Sequence, residues 1–353
     1  MRVLVTGSEG YIGSLLGPYL AEQGHETVGV DTGYYSAAQL YDAAASVTTR
    51  RKDIRLLAED DFADVDAVVH MAELSNDPLS FLSPQVTYDI NHHGSLHVAA
   101  KAKAAGVRRF VYTSSCSVYG AAATEIVDED SPLRPQTAYA RCKQLVERDV
   151  ASMADDGFSP TFLRNATAYG ASPRLRFDVV LNNLCGLAWT TKEIRMESDG
   201  TPWRPLVHVL DICKAVASTL DAPVKRVHNE VLNVGDSRSN YQIREIAEIV
   251  AGVFPDCDVT VGGRSPDARS YRVSFAKIQS VLPGFTTEWN AEGGARQLLD
   301  VFSQVGLDEE GFRSRRYTRL KQIEYLLGSG QIDESFFWAD SPHAPVQAPG
   351  RPA

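Results

Sequence analysis

Apolar residues in this chain gather in short runs separated by amphipathic stretches, and that alternation repeats. Val3-Leu4-Val5 is a continuous apolar run of the kind that a parallel sheet buries on both faces. Residues 14–22 show helical spacing, Gly24-His25 turns the chain, and residues 26–30 read as a second strand closed by Asp31. A shorter unit ends at residues 51–55. Residues 66–70 (DAVVH), 109–113 (RFVYT) and 161–164 read as further strands. Helices are predicted over 88–105, 137–154 and 178–191, and an acidic, proline-bearing loop over 125–135. Strand alternating with helix implies an α/β chain with a doubly wound parallel sheet.

The chain has 353 residues, ample for a sizeable core. A net charge of −10 disfavours a phosphate polymer, so no nucleic-acid partner is expected. No apolar run approaches the length of about 18 residues that a membrane span needs, and the first strand leaves no room for a signal peptide. Cys116, Cys142, Cys185, Cys213 and Cys257 are scattered without metal-type spacing. They read as reduced thiols of a cytoplasmic protein, with no metal site.

The first turn carries chemistry. In Thr6-Gly7-Ser8-Glu9-Gly10-Tyr11-Ile12-Gly13 the glycines stand three apart between a strand and a helix. Gly7 permits a tight turn, Gly10 lets a diphosphate approach the backbone, and Gly13 lets the helix pack on the sheet. The first N–H groups of that helix are unpaired and favour an anion. Asp31 lies about 20 residues on, where a carboxylate accepts hydrogen bonds from an adenosine ribose and repels a 2′-phosphate. The pattern predicts NAD as cofactor. Ligands in such sheets sit beyond the carboxyl ends of the strands, where Met71-Ala72 and Ser114-Ser115 also fall.

Tyr139 and Lys143 stand four apart on the helix predicted over 137–154, so phenol and ammonium share a face. A free phenol has a pKa near 10 and is a poor base. A neighbouring ammonium is expected to bring that value down, and Ser115 to hold a substrate hydroxyl against the phenol.

At this point the chain resembles the extended short-chain dehydrogenase/reductases, and within them the NAD-dependent nucleotide-sugar epimerases and dehydratases. The resemblance rests on TGSEGYIGS at 6–14, Asp31, Asp53-Ile54, HMA at 70–72, SSCSVYG at 114–120 and YARCK at 139–143. It spans about residues 1–302, and the first thirty residues look nearest to UDP-galactose 4-epimerases. It implies a Rossmann-type doubly wound parallel sheet with a smaller, interwoven C-terminal substrate domain. The expected division is an NAD-binding region at 1–165, completed by later segments, and a nucleotide-sugar-binding region at 166–305. A C-terminal helical extension at 306–340 and a loose tail at 341–353 follow.

The same resemblance implies roles. Tyr11 and Ile12 would give N–H groups to the cofactor phosphates, alongside Gly7, Gly10 and Gly13. Asp31 with Thr32 would bind the adenosine ribose, and Asp53 and Ile54 the adenine. Met71 and Ala72 would line the NAD path, and Asn91 would lie near phosphates. Ser115, Tyr139 and Lys143 would form the catalytic triad, Lys143 also holding the nicotinamide ribose. For the substrate, the expected residues are Ser117, Thr167, Asn182, Arg204, Arg264 and Asp267. Thr167 stands where the family usually has asparagine, so that contact falls to Asn165 or to the threonine hydroxyl. Either Asn182 or Asn183 would supply an amide, Asn182 being the candidate of the two. Arg204 would clamp the diphosphate, which suits a planar guanidinium. A nucleotide sugar is thus the expected substrate, with no membrane partner.

The shared first step in this family is oxidation of a sugar hydroxyl. Dehydratases and decarboxylases then use an acid at one or both places after the catalytic hydroxyl, and here those places are Cys116 and Ser117. Simple 4-epimerisation needs neither, and it is the leading expectation. Alternatives are a nucleotide-sugar dehydrogenase or keto-reductase, an epimerase at carbon 3 or 5 using Cys116 as thiolate, and a dinucleotide-binding regulator. Glu73 and Asp77 replace the missing acids only if the loop after 70–72 folds over the sugar. His208 and Asp211 read as a helix start with an aspartate cap, and His92 and His93 as helix-surface residues. Arg313, Arg315 and Arg316 read as a solvated face of a helix over 312–327 that packs on the body or on a partner. A homodimer through the helices at 88–105 and 137–154 is expected, with Val146, Val150 and Met153 facing either the partner or the chain's own core.

Overall fold

The computed structural model describes residues 1–43, 47–263 and 270–341. Seven strands form one parallel sheet: β1 (Arg2–Thr6), β2 (Glu26–Asp31), β3 (Thr49–Arg51), β4 (Ala67–His70), β5 (Arg109–Ser115), β6 (Ser159–Asn165) and β7 (Glu230–Val234). Their spatial order is β7-β6-β5-β4-β1-β2-β3. Winding reverses between β1 and β4, and a crevice opens there beyond the carboxyl ends. The register sets Thr6 beside both Val30 and His70, so the glycine turn starts at that crevice.

Helix α1 (Gly13–Glu22) follows β1, α2 (Ser95–Ala104) precedes β5 and α3 (Ala138–Ala151) precedes β6. Apolar residues cover both sheet faces. One core joins Val3, Val5, Val69 and Leu163 to Ile212 and Val216; the other joins Leu4, Val68, Phe110 and Phe162 to Val98 and Val146. A third core, around Leu181, Leu206, Ile246 and Leu298, belongs to the later half. Among the described residues no helix is long and apolar enough to cross a membrane.

Three elements differ from the pattern reading. The helix expected over 88–105 begins at Pro84 and contains a wider π-helical stretch, Tyr88–Gly94, before α2. That local widening leaves no mark in apolar spacing. Residues 121–127 form a strand that runs into the start of the loop expected over 125–135, paired in parallel with Ser270–Val273, a partner far off in sequence. The helix expected over 312–327 is broken into Glu309–Arg313, a turn at Arg315–Tyr317 and α4 (Arg319–Gly328).

The helix beginning at Val209 is capped by His208, whose Nδ1 accepts the Leu210 N–H at 3.2 Å. Asp211 instead accepts N–H groups from Glu288 and Trp289. His208 is thereby structural, stacked on Trp289 with ring centroids 4.1 Å apart. Val146 and Val150 are buried in the chain's own core, and the partly buried Met153 packs against it.

The C-terminal extension packs on the body at the end of β2. Gln322 Nε2 donates to Tyr34 O at 3.0 Å and Trp338 Nε1 to Thr32 O at 2.8 Å. The Tyr34 hydroxyl donates to Phe336 O, and Ile323, Leu326 and Phe336 join the core of Leu4 and Val30. Arg313 is exposed and paired with Glu309, and Arg315 lies over the Tyr325 ring.

Candidate functional site

A cavity of about 680 Å³ opens at the crevice between β1 and β4. Its floor is the turn after β1. Gly7 has φ +74°, and a Cβ there would also meet Ala72 N at 3.0 Å. A Cβ on Gly13 would stand 2.1 Å from Gly7 O, so both positions exclude side chains. Tyr11 and Ile12 line the floor. The Tyr11 hydroxyl donates to Gly170 O at 2.7 Å and ties the turn to the later half of the chain.

Asp31, Thr32, Asp53, Ile54, Met71 and Ala72 line one end. Each Asp31 oxygen takes one backbone N–H, from Gly33 at 2.7 Å and from Glu9 at 3.1 Å, and keeps lone pairs for two more donors. Burial pushes the Asp31 carboxyl upward, and those two N–H groups pull it back. Asp53 is braced by Arg55 at 2.7 Å. A glycine turn on the cavity wall, with a carboxylate able to accept hydrogen bonds from a vicinal diol, fits a dinucleotide such as NAD.

The reactive groups sit in the middle. Ser115 ends β5, and its hydroxyl accepts the Ser117 N–H at 3.1 Å. Tyr139 stands in the first turn of α3, whose cap is Thr137, accepting from Ala140 N at 3.1 Å. Helix α3 is fixed to the sheet by a buried ion pair, Arg164 to Glu147 at 2.7 Å. Ser114 donates to the same carboxylate. Tyr139 and Ser115 line the same cavity.

The electrostatics differ from the expected ammonium-activated phenol. The Lys143 ammonium is 5.6 Å from the Tyr139 ring centroid and pairs with Glu73 Oε2 at 2.7 Å. Tyr112 donates to the other Glu73 oxygen at 2.5 Å. Burial pushes the Tyr139 phenol well above its ordinary value, the charges of Glu73 and Asp77 raise it further, and the neighbouring Ser115 hydroxyl lowers it. The sequence marks Glu73 as an acid on the loop after residues 70–72, but nothing along the chain signals its pairing with Lys143.

That loop does fold over the cavity. Asn76 Nδ2 donates to Asp178 Oδ2 at 2.6 Å, Arg176 pairs with Asp178 at 2.7 Å, and Arg176 Nη1 donates to Ser75 Oγ at 3.1 Å. Asp77 accepts from Thr137 Oγ1 at 2.5 Å. Arg176 and Arg319 both line the cavity and were missed, since no motif marks them.

Several expected site residues are placed elsewhere. Asn91 is fully buried and spends its amide on Leu74, accepting from its N at 2.8 Å and donating to its O at 3.0 Å. It braces the loop after β4 and does not reach the cavity. Asn182 is also fully buried, accepting from Gly170 N at 3.0 Å and donating to the Tyr11 hydroxyl at 3.2 Å. Its neighbour Asn183 lines the cavity instead. One helical step of 100° separates two such neighbours, and apolar spacing did not resolve which faces inward. The Cys116 thiol donates to Arg164 O at 3.2 Å inside the core, and burial raises its pKa. It is not a thiolate facing a sugar. Ser117, Thr167 and Arg204 line the cavity, as does Asn165. Arg264 and Asp267 lie outside the described residues.

The model of the NAD dependent epimerase/dehydratase family matches residues 3–235. A UDP-glucose 4-epimerase of Lactobacillus helveticus is 29% identical over 309 residues, spanning 80% of this chain and 91% of that protein. Among solved structures, MoeE5 in complex with UDP-glucuronic acid and NAD aligns at TM-score 0.74 and 29% identity, over 86% of this chain and 99% of that one. TunA, an NAD dependent-NDP-hexosamine 5,6-dehydratase, aligns at TM-score 0.77 and 26% identity, over 86% and 98%.

Proposed function

This chain belongs to the NAD-dependent epimerase/dehydratase family, and we propose that it inverts carbon 4 of a nucleotide-activated sugar. The observation that supports the proposal is Ser115, Tyr139 and Lys143 together on the cavity wall, with Ser115 followed by a thiol turned into the core and a serine. Elimination needs an acid and a base beside the sugar. Of the nearby carboxylates, Glu73 is held by Lys143 and Tyr112, and Asp77 by Thr137.

NAD, when bound, supplies the two-electron acceptor that takes the sugar carbinol to a ketone and gives the electrons back. Gly10, Tyr11 and Ile12 hold its phosphates, Asp31 and Thr32 its adenosine ribose, Asp53 and Ile54 the adenine, and Lys143 the nicotinamide ribose. Ser115 orients the sugar oxygen. Tyr139, as phenolate, takes the proton from that oxygen and returns it after the ketone has turned over. Ser117, Thr167, Asn183 and Arg204 hold the nucleotide sugar, joined by Arg264 and Asp267. The enzyme works as a homodimer.

Incubation with a panel of nucleotide sugars, read by NMR, tests this. The expected product is a pair of 4-epimers with no accumulation of reduced nicotinamide. Net reduction of NAD would indicate a dehydrogenase, and loss of water a dehydratase. Full turnover by Tyr139→Phe would end the proposal in either form.

A further inference from the structure

The C-terminal extension brings one cation to the cavity that no motif marks. Arg319, the first residue of α4, is 1% exposed and lines the cavity wall. Its Nη2 donates to Arg174 O at 3.0 Å, while its Nη1 is buried with no hydrogen-bond partner among the described residues. The guanidinium lies 4.2 Å from the Tyr35 ring centroid, which fixes its plane. A buried N–H without an acceptor is rare in native structures and marks a ligand or functional group to be accounted for.

The neighbours say which ligand. Asp31, Asp178, Arg176 and Tyr11 all stand within electrostatic reach of Arg319, and all of them line the same cavity. Arg176 has its own acceptors in Asp178 and Ser75. Of these two arginines, Arg319 is the one with an uncommitted donor, on a wall of the cavity that Asp31 and Gly10 also line. We propose that Arg319 donates through Nη1 to the diphosphate of NAD, so that the C-terminal extension closes the cofactor's phosphate site opposite the N–H groups of Gly10, Tyr11 and Ile12. A planar guanidinium suits a diphosphate better than a point charge does. Burial pushes the Arg319 pKa down to about 10, so the group is still cationic at neutral pH.

The test measures binding, not turnover, so it stands or falls apart from the choice of reaction. Affinities of the full-length protein for NAD, ADP-ribose, adenosine and UDP are compared between wild type, Arg319→Gln and Arg319→Lys. The glutamine variant is expected to weaken NAD and ADP-ribose by about tenfold or more, as loss of a charge-assisted bond does, and to leave adenosine and UDP within about twofold. Lysine is expected to recover part of the loss. Equal weakening of adenosine would mean a merely structural arginine, and weakening of UDP alone would assign the group to the substrate; either overturns the proposal, as does unchanged NAD affinity. Amide exchange in wild type covers the case in which the variants do not fold. ADP-ribose should slow exchange across Arg319–Gly328 and adenosine should not; equal protection by both, or by neither, overturns the proposal.

Discussion

The Lys143 ammonium meets the Glu73 carboxylate at 2.7 Å, and both side chains are closed to solvent. The ammonium that would favour a phenolate is thus opposed by a carboxylate within its own contact shell. Burial raises the Glu73 carboxyl, and Lys143 and Tyr112 pull it back. Replacing Glu73 by Gln removes a negative charge that raises the Tyr139 phenol and leaves Lys143 unopposed. Both effects favour the phenolate. The acidic limb of kcat/KM against pH is expected to move down by about one pH unit in E73Q, the equivalent of about 1.4 kcal/mol. A pH–rate profile checks it, and an unmoved or upward-moved limb rejects the relationship.

Cys116 follows the catalytic serine, yet its thiol donates to Arg164 O in the core. Cys116→Ala should keep kcat within about threefold of wild type, since no proton passes through it, and should cost about 1 kcal/mol of stability for the lost sulfur packing. A drop in kcat of about a hundredfold, the scale of a lost acid or base, would restore the thiol to the reaction.

Glu147 accepts from Ser114 and from two Arg164 nitrogens, all buried. Glu147→Gln leaves the guanidinium without its counter-charge. Breaking a buried pair from one side costs about 3–5 kcal/mol, which urea unfolding would register as a lower midpoint at unchanged slope. Because the pair anchors the helix that carries Tyr139, residual folded protein should also show lowered kcat.

Two imidazoles are held neutral by burial, His70 near a pKa of about 3 and His208 near about 4. Their unfolded values lie near 6.5, so the unfolded chain binds the extra protons. The contribution they make is present above about pH 6.5 and is lost as pH falls toward the folded values. Stability measured by urea unfolding should decline below pH 6.5 by up to about 1.4 kcal/mol per pH unit for each imidazole. His70→Gln, which can still bond Thr6 and Ser95, should flatten that decline.

The parallel sheet, the glycine turn and the serine, tyrosine and lysine were legible because each depends on residues close in sequence. A strand's apolar run, a glycine at positive φ and a pair one helical turn apart carry their geometry locally. The errors lie where distant segments meet. Asn91 and Asn182 have the chemistry of ligand-binding amides, but the backbone groups of Leu74 and Gly170 reach them first. Glu73 pairs with Lys143 across seventy positions, and Arg319 reaches the cavity only because an extension folds back over β2. Pattern along the chain does not encode such encounters.

The clasp of Gln322 on Tyr34 and of Trp338 on Thr32 has a consequence for biosynthesis. A nascent polypeptide emerged only through Val305 has its glycine turn, Ser115, Tyr139 and Lys143, yet lacks the contacts that Gln322 and Trp338 make on Tyr34 and Thr32. If Arg319 holds the diphosphate as proposed, firm capture of the dinucleotide is a late event, after translation of Arg319–Gly328. A protease nicking that helix would loosen the coenzyme while sparing every group that handles the sugar.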